Sequence, residues 1–350
     1  MLNRRQWSVA CAGLWLGGGA APLQAQALPA RPVPYPPRLV STRIVIAVEH
    51  RVSLSNLPLT VADQLNYFRE EGLDVELRDF ADSAQALAAV HGRAAHVLCG
   101  PFAQLLSAPA RSQAWQSFVV QARAPQVVLG VSARATPGYR GARDLRGKRV
   151  GIRANDPVCL QVLQATLRRD GVREDELQIL PQATPLAALQ AFRFGQLDAL
   201  CHSDPLVTQL EQLGEMRVVA DTRSLGGTTQ VFGGPVPVGC LSAPGDFIEQ
   251  YPRLTQALTD ALVHALKWLQ TAGPSDLIKT VPEAHFQDDR ALYLSAVERA
   301  RDAWTADGVM PRNGPETAAR AGSALSVPAT ELASAWTNDF ASKAKARFRA

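Results

Sequence analysis

A strand, helix, strand order that recurs at a fixed distance is the feature that most limits what this chain can fold into. Arg43-Ile44-Val45-Ile46-Ala47-Val48 is rich in β-branched residues, the composition of a strand buried on both faces. A loop, His50 to Asn56, leads into a helix expected from Leu57 to Glu71. Pro58 sits in its first turn, where a missing N–H costs nothing, and Gly72 ends it. Asp74 to Phe80 reads as the next strand. Asp82-Ser83 then caps a helix with Ala86, Leu87 and Val90 on its apolar face, and His96 to Cys99 is a third, short strand. Strands separated by helices at this spacing pair in parallel through helical crossovers. Gly171 to Cys201 repeats the order of Gly72 to Cys99. Leu87 and Cys99 are 12 residues apart, as are Leu189 and Cys201, and the copies are offset by 102 residues. The recurrence reads as a duplicated lobe plan, although α/β units share enough vocabulary to match by chance.

Two apolar runs, Val127 to Ala133 and Val236 to Leu241, follow the first and second copies and read as crossings between two lobes. From Phe247 onward the pattern is mainly helical, with a long amphipathic segment from Leu254 to Leu269, and this tail is expected to return to the first lobe. The expected first lobe is therefore 42–135 with 235–350, and the second, inserted lobe is 136–234. Paired crossings of this kind act as hinges.

The amino terminus has the plan of an export signal. Arg4 and Arg5 form a basic region, Trp7 to Leu16 an apolar stretch too short to span a bilayer, and Ala25-Gln26-Ala27 a small-x-small cleavage pattern. Asn3-Arg4-Arg5-Gln6-Trp7 is a partial twin-arginine signal, so the general secretory and twin-arginine routes both remain open. The expected signal is 1–27, and the proline-rich stretch 28–41 is an extended linker. Arg4 and Arg5 carry 2 of the 4 net positive charges, so the remainder is close to neutral. It has no basic run interleaved with aromatics, which argues against nucleic acid as a partner. A monomer in the periplasm is expected. Beyond the signal lie Cys99, Cys159, Cys201 and Cys240, without a CxxC or a dense framework, and they read as isolated buried thiols.

Catalytic patterns are missing from the sequence: it has no GxSxG, HExxH, P-loop, GxGxxG or zinc-type CxxC pairing. None of the histidines, His50, His91, His96, His202, His264 and His285, is paired as HxH or HxxxH. No cofactor, metal or enzyme activity is expected. The chain does offer polar loops at strand ends, where parallel α/β sheets bind ligands and helix N-termini present free N–H groups. These loops supply the candidate ligand-binding residues His50, Asn56, Asp82, Ser83, Gly100, Pro101, Phe102, Arg153, Asn155, Asp156, Ser203 and Asp204. Asp156 and Asp204 each precede a proline and read equally as helix caps. Phe102 reads equally as core. Arg153 has the fork geometry to hold a carboxylate or sulfonate, or it lies at the surface.

Two phrases give these readings a family. Tyr67-Phe68-Arg69-Glu70-Glu71-Gly72-Leu73-Asp74-Val75 and Asp144-Leu145-Arg146-Gly147-Lys148-Arg149-Val150 resemble the "YF-x-x-EGLDV" and "DL-x-GK-x-V" landmarks of periplasmic solute-binding proteins of the nitrate/sulfonate/taurine type, the SsuA/TauA-like and NMT1-like proteins. The resemblance implies a type II periplasmic-binding-protein fold, with two α/β lobes, parallel-rich sheets flanked by helices, and a ligand cleft between the lobes. It implies capture of a small organic solute, sulfonate-, taurine- or pyrimidine-like, and delivery to an ABC permease in the inner membrane. It also admits a receptor for a membrane sensor, or an enzyme of the thiamine-pyrimidine type on the same fold. Relatives often carry small Gly/Ser residues where this chain has Asn155-Asp156, and Trp-Glu-Pro where it has Ser203-Asp204-Pro205. Extra carboxylates in a cleft would repel an anion, so a neutral, zwitterionic or pyrimidine-like solute fits as well as a sulfonate.

Overall fold

The computed structural model describes residues 43–107, 113–322 and 327–350. The expected signal and linker lie outside the described residues. Among the described residues, ten strands form two five-stranded sheets, ordered β2-β1-β3-β10-β4 and β7-β6-β8-β5-β9. The first sheet comprises β1 (Arg43–Glu49), β2 (Asp74–Phe80), β3 (Val97–Gly100), β4 (Gln116–Ala122) and β10 (Val238–Ala243). The second comprises β5 (Val127–Ser132), β6 (Arg149–Arg153), β7 (Gln178–Gln182), β8 (Ala199–Ser203) and β9 (Met216–Asp221). In each sheet four strands run the same way and one, β10 in the first and β5 in the second, runs antiparallel between two of them.

The β-branched composition of β1 explains its place. Ile44, Ile46 and Val48 face one core cluster while Val45 and Ala47 face another, so the strand is buried on both sides, as expected when helices cover both faces of a sheet. The second sheet is built the same way, with Val127, Leu129 and Val131 in one cluster and Val128 in another. The helix Pro252–Thr271 returns to the first sheet and buries Leu258, Ala261, Leu262 and Leu269 in its core.

The two sheets also share register. Val48 lies opposite Cys99 in the first, and Ile152 opposite Cys201 in the second. The next residues, Glu49 and Arg153, are the last residues of β1 and β6 and therefore occupy equivalent steps of the two halves.

Three elements depart from expectation. The helix expected from Leu57 to Glu71 is Leu57–Gln64 followed by a separate turn, Tyr67–Glu70, because Asn66 adopts a left-handed φ of 60°, a conformation Asn tolerates better than most residues. The third strand is Val97–Gly100 rather than His96 to Cys99; just ahead of it the His96 Nδ1 accepts from the Val45 N–H at 3.0 Å and the His96 N–H donates to the Val45 carbonyl at 2.9 Å. Val127–Ser132 pairs within the second sheet, so the chain crosses before this strand, between Ala122 and Val127. The return crossing runs from Asp221 to Val238 through the helix Leu225–Phe232.

Polar links tie the lobes outside the crossings. The helix Arg290–Ala300 buries Tyr293, Ala296 and Val297 in the first-lobe core. From its other side Arg299 donates to Glu211 at 2.7 Å, and Gln212 donates to Ser295 at 3.2 Å. Glu211 and Gln212 end the helix Leu206–Gln212 of the second lobe. At the crossings themselves, Asp302 accepts from the Leu225 N–H at 2.9 Å and pairs with Arg123 at 3.2 Å. No helix among the described residues is long and apolar enough to cross a membrane.

Candidate functional site

The carboxyl ends of β1, β3, β6 and β8 converge on a cavity between the lobes. Its lining includes Glu49, His50, Asn56, Gly100 and Pro101 from the first lobe and Arg153, Asp156, Val158 and Ser203 from the second, with Pro125, Val127, Val238 and Gly239 at the crossings. The cavity measures about 50 Å³, room for a few water molecules.

Asn56 makes the first-lobe wall rigid. Its Nδ2 donates to the carbonyl oxygens of Glu49 at 2.9 Å and His50 at 3.3 Å, and its Oδ1 accepts from the Cys99 thiol at 3.2 Å. Gln121 continues the network, donating to Cys99 Sγ at 3.1 Å and to the Gly239 carbonyl at 2.7 Å. Burial pushes the Cys99 thiol far above its usual range, so it stays protonated and is a poor nucleophile.

Glu49 is the acid of this wall. Ser83 Oγ donates to its Oε2, and His50 Nε2 lies 3.8 Å from its Oε1. Burial is the largest influence on its carboxyl, and the charge of Asp156 adds to it. Together they outweigh the Ser83 hydrogen bond and the Arg153 charge and raise the carboxyl to about 7. The His50 imidazole is lowered, first by burial and then by Arg153.

The second-lobe wall is a closed ion pair. Asp156 caps the helix Pro157–Arg169, accepting from the N–H groups of Val158 at 2.8 Å and Cys159 at 3.1 Å. Its other oxygen takes the Cys159 thiol at 3.1 Å and two guanidinium nitrogens of Arg153, one of them Nε at 2.7 Å. Despite burial, the Arg153 charge and these hydrogen bonds hold the Asp156 carboxyl below the usual aspartate range. Behind it the fully buried His202 is lowered to about 4 by burial and by Arg153.

The structure brings His50, Asn56, Gly100, Pro101, Arg153, Asp156 and Ser203 to the cavity and leaves the other candidates out of its lining. Asp82 caps the helix Ser83–His91 through the Gln85 N–H at 2.8 Å. Ser83 stands one shell back and reaches the cavity through Glu49. Phe102 is fully buried in the core beside Leu98 and Val120. Asn155 is exposed, in a left-handed turn of φ 56°. Asp204 turns away from the cavity: its carboxylate accepts from the Thr208 N–H at 2.8 Å and lies 3.5 Å from Arg223. Arg223 gathers Asp221 at 2.6 Å and Glu211 at 2.7 Å as well. Its counter-charge, placed after β9, decides where the Asp204 side chain goes. Sequence reasoning missed Glu49; the signal was an acid closing a β-branched strand immediately before a polar loop.

The model of the NMT1/THI5-like family matches residues 54–272, more than half of the chain and both lobes. The chain belongs to that family. A solved structure of a protein from Bordetella bronchiseptica RB50 is 36% identical, covers 89% of this chain and 99% of its own, and has a TM-score of 0.79. The alkanesulfonate-binding protein SsuA from Xanthomonas axonopodis pv. citri, bound to MOPS, is 17% identical over 85% of this chain and 99% of its own, with a TM-score of 0.63. The periplasmic nitrate-binding protein NrtA from Synechocystis PCC 6803 is 12% identical over 88% and 89%, with a TM-score of 0.64. These likenesses establish the type II periplasmic-binding-protein fold. Desulfurization enzyme DSZB shares it at a TM-score of 0.60 and 16% identity, over 88% and 99%, so the fold holds an enzyme among its binding proteins. No curated protein matches the chain's sequence.

Proposed function

We propose that this chain is the periplasmic solute-binding component of an ABC importer, which captures a small organic solute between its lobes and presents the closed form to an inner-membrane permease. One observation carries the reading: a polar cavity at the carboxyl ends of parallel strands, walled by both lobes and flanked by both crossings. A solute that touches Glu49 or His50 on one side and Arg153 or Ser203 on the other bonds fully only when the lobes are together. It shifts the population toward closure by its differential affinity for that state. The family membership supports the reading, as do the binding proteins that share the fold. An enzymatic reading is the weaker one, because the thiol in the lining, Cys99, is held protonated and bonded on both sides.

The test is small-angle scattering of the purified protein with and without solutes that raise its melting temperature in a broad screen. A smaller radius of gyration at saturation is expected. A bound solute that leaves the radius unchanged would overturn capture by closure.

A further inference from the structure

We propose that the cavity selects solutes carrying a basic nitrogen, an amine or amidine protonated at neutral pH, and that Glu49 is the residue that selects them. This rests on the solute-capture reading above and assigns that site a ligand class.

The argument is a charge balance across the cavity. Three charged side chains line it: Glu49, Asp156 and Arg153. Arg153 is spent on Asp156, with Nε and a terminal nitrogen both on one carboxylate oxygen, and a guanidinium so neutralised has little left for an incoming anion. Asp156 is equally spent, on Arg153 and on the N-terminus of its own helix. Glu49 is different. Its side chain is 12% exposed, and its contacts are the Ser83 hydroxyl and, at 3.8 Å, His50. His50 brings no positive charge at neutral pH, because burial and Arg153 both lower it, and His202 behind the second wall is lowered further. Asp82 on the flanking helix and Asp156 across the cavity both add to the negative field at Glu49, while Arg153 alone opposes them. The Cys99 thiol beside it stays protonated.

The cavity is therefore one acid in excess. An anionic solute meets that excess without a free cation to receive it. A protonated amine or amidine supplies the counter-charge that Glu49 lacks in a site that excludes most water, where a charge-assisted hydrogen bond is strongest. Ser53 and Ser55, whose hydroxyls lie 3.0 Å apart on the same wall, offer acceptors for the remaining N–H groups.

Burial holds the Glu49 carboxyl near 7, so the carboxylate is the minor form at pH 6 and the major form at pH 8. Binding a cation releases the proton, and affinity rises roughly tenfold over that interval.

The test titrates the purified protein calorimetrically with acetamidinium and methylammonium, and with nitrate and methanesulfonate, at pH 6 and pH 8. The cations are expected to bind, about tenfold more tightly at pH 8. In Glu49→Gln their affinity is expected to fall at least tenfold and to lose its pH dependence, while Glu49→Asp retains both. Circular dichroism and the melting temperature show that each variant is folded. Tighter binding of either anion, unchanged cation affinity in Glu49→Gln, or no cation binding at millimolar concentration would each overturn the proposal. If an anion binds and compacts the protein, the ligand class assigned here fails while capture by lobe closure stands.

Discussion

Replacing Arg223 by Gln should leave a buried carboxylate without its counter-charge and destabilise this protein. The Arg223 side chain is 4% exposed and touches three carboxylates: Asp221 at 2.6 Å, Glu211 at 2.7 Å and Asp204 at 3.5 Å. Asp204 is itself 2% exposed, and its burial already raises its carboxyl above the ordinary aspartate range, against the pull of Arg223. Removing one partner of a buried ion pair costs about 3–5 kcal/mol, because the other charge is left without compensation. Glu211 keeps Arg299 and Asp221 is more exposed, so the loss falls mainly on Asp204 and the lower end, about 3 kcal/mol, is expected. At about 2–4 °C per kcal/mol for a large domain, the melting temperature falls by roughly 10 °C. The pH dependence gives the decisive sign. A carboxyl whose folded pKa is raised binds a proton more readily folded than unfolded, so it destabilises the fold as pH rises above its unfolded value, near 4. Removing Arg223 raises it further, so the deficit is largest at neutral pH and shrinks as pH falls toward 4. Thermal unfolding of wild type and Arg223→Gln at pH 7, 5.5 and 4 measures this directly. A loss below 1 kcal/mol at pH 7, or one that is the same at every pH, would refute the reasoning.

Asp204→Asn should leave solute affinity unchanged and lower the melting temperature by only a few degrees, because Asn still accepts from the Thr208 N–H while the Arg223 contact weakens; calorimetry and thermal unfolding together check it, and a clear change in affinity would return Asp204 to the cavity wall. Gly227→Ala should destabilise by about 1–3 kcal/mol or more, since a Cβ there would stand 2.0 Å from the Asp221 carbonyl oxygen, a backbone atom that cannot swing aside; urea unfolding reads the loss, and a neutral result would mean the Leu225–Phe232 helix shifts freely against β9.

The fold was largely legible because its strands carry their own signal. Arg43 to Val48 reads as a doubly buried strand because each alternate side chain has an apolar cluster to meet. Asp74 to Phe80 is bounded by Gly72 on one side and the Asp82 cap on the other. The helix from Leu57 is shorter than its spacing suggests, because Asn66 interrupts it through a backbone conformation that hydrophobic spacing does not encode. The site was legible by position and less so by direction. Strand-end loops bring His50, Gly100, Arg153 and Ser203 to one cavity, since a parallel sheet delivers all its carboxyl ends to one edge. Where an acid at such an edge points depends on the nearest unpaired cation. For Asp156 that is Arg153, three residues earlier, whereas for Asp204 it is Arg223 on a different element. Glu49 fell between the expected strand and the expected loop, and its importance comes from burial, which a linear pattern of residues does not display.

The matched register of the two sheets has a consequence for how the cavity's polarity is encoded. Glu49 and Arg153 are the same step of the same unit, written once as an acid and once as a base. Each is the final side chain of its strand, so the ladder hydrogen bonds behind it run through the backbone and are indifferent to its identity. In the proposed capture, the geometry of closure is stored in the sheets and crossings, and the electrical preference of the cavity in two terminal letters. A single replacement at either letter moves the balance by one charge, and an exchange of the two would carry the acid to the opposite wall. Under that proposal, solute charge and lobe movement are separately adjustable parts of one scaffold.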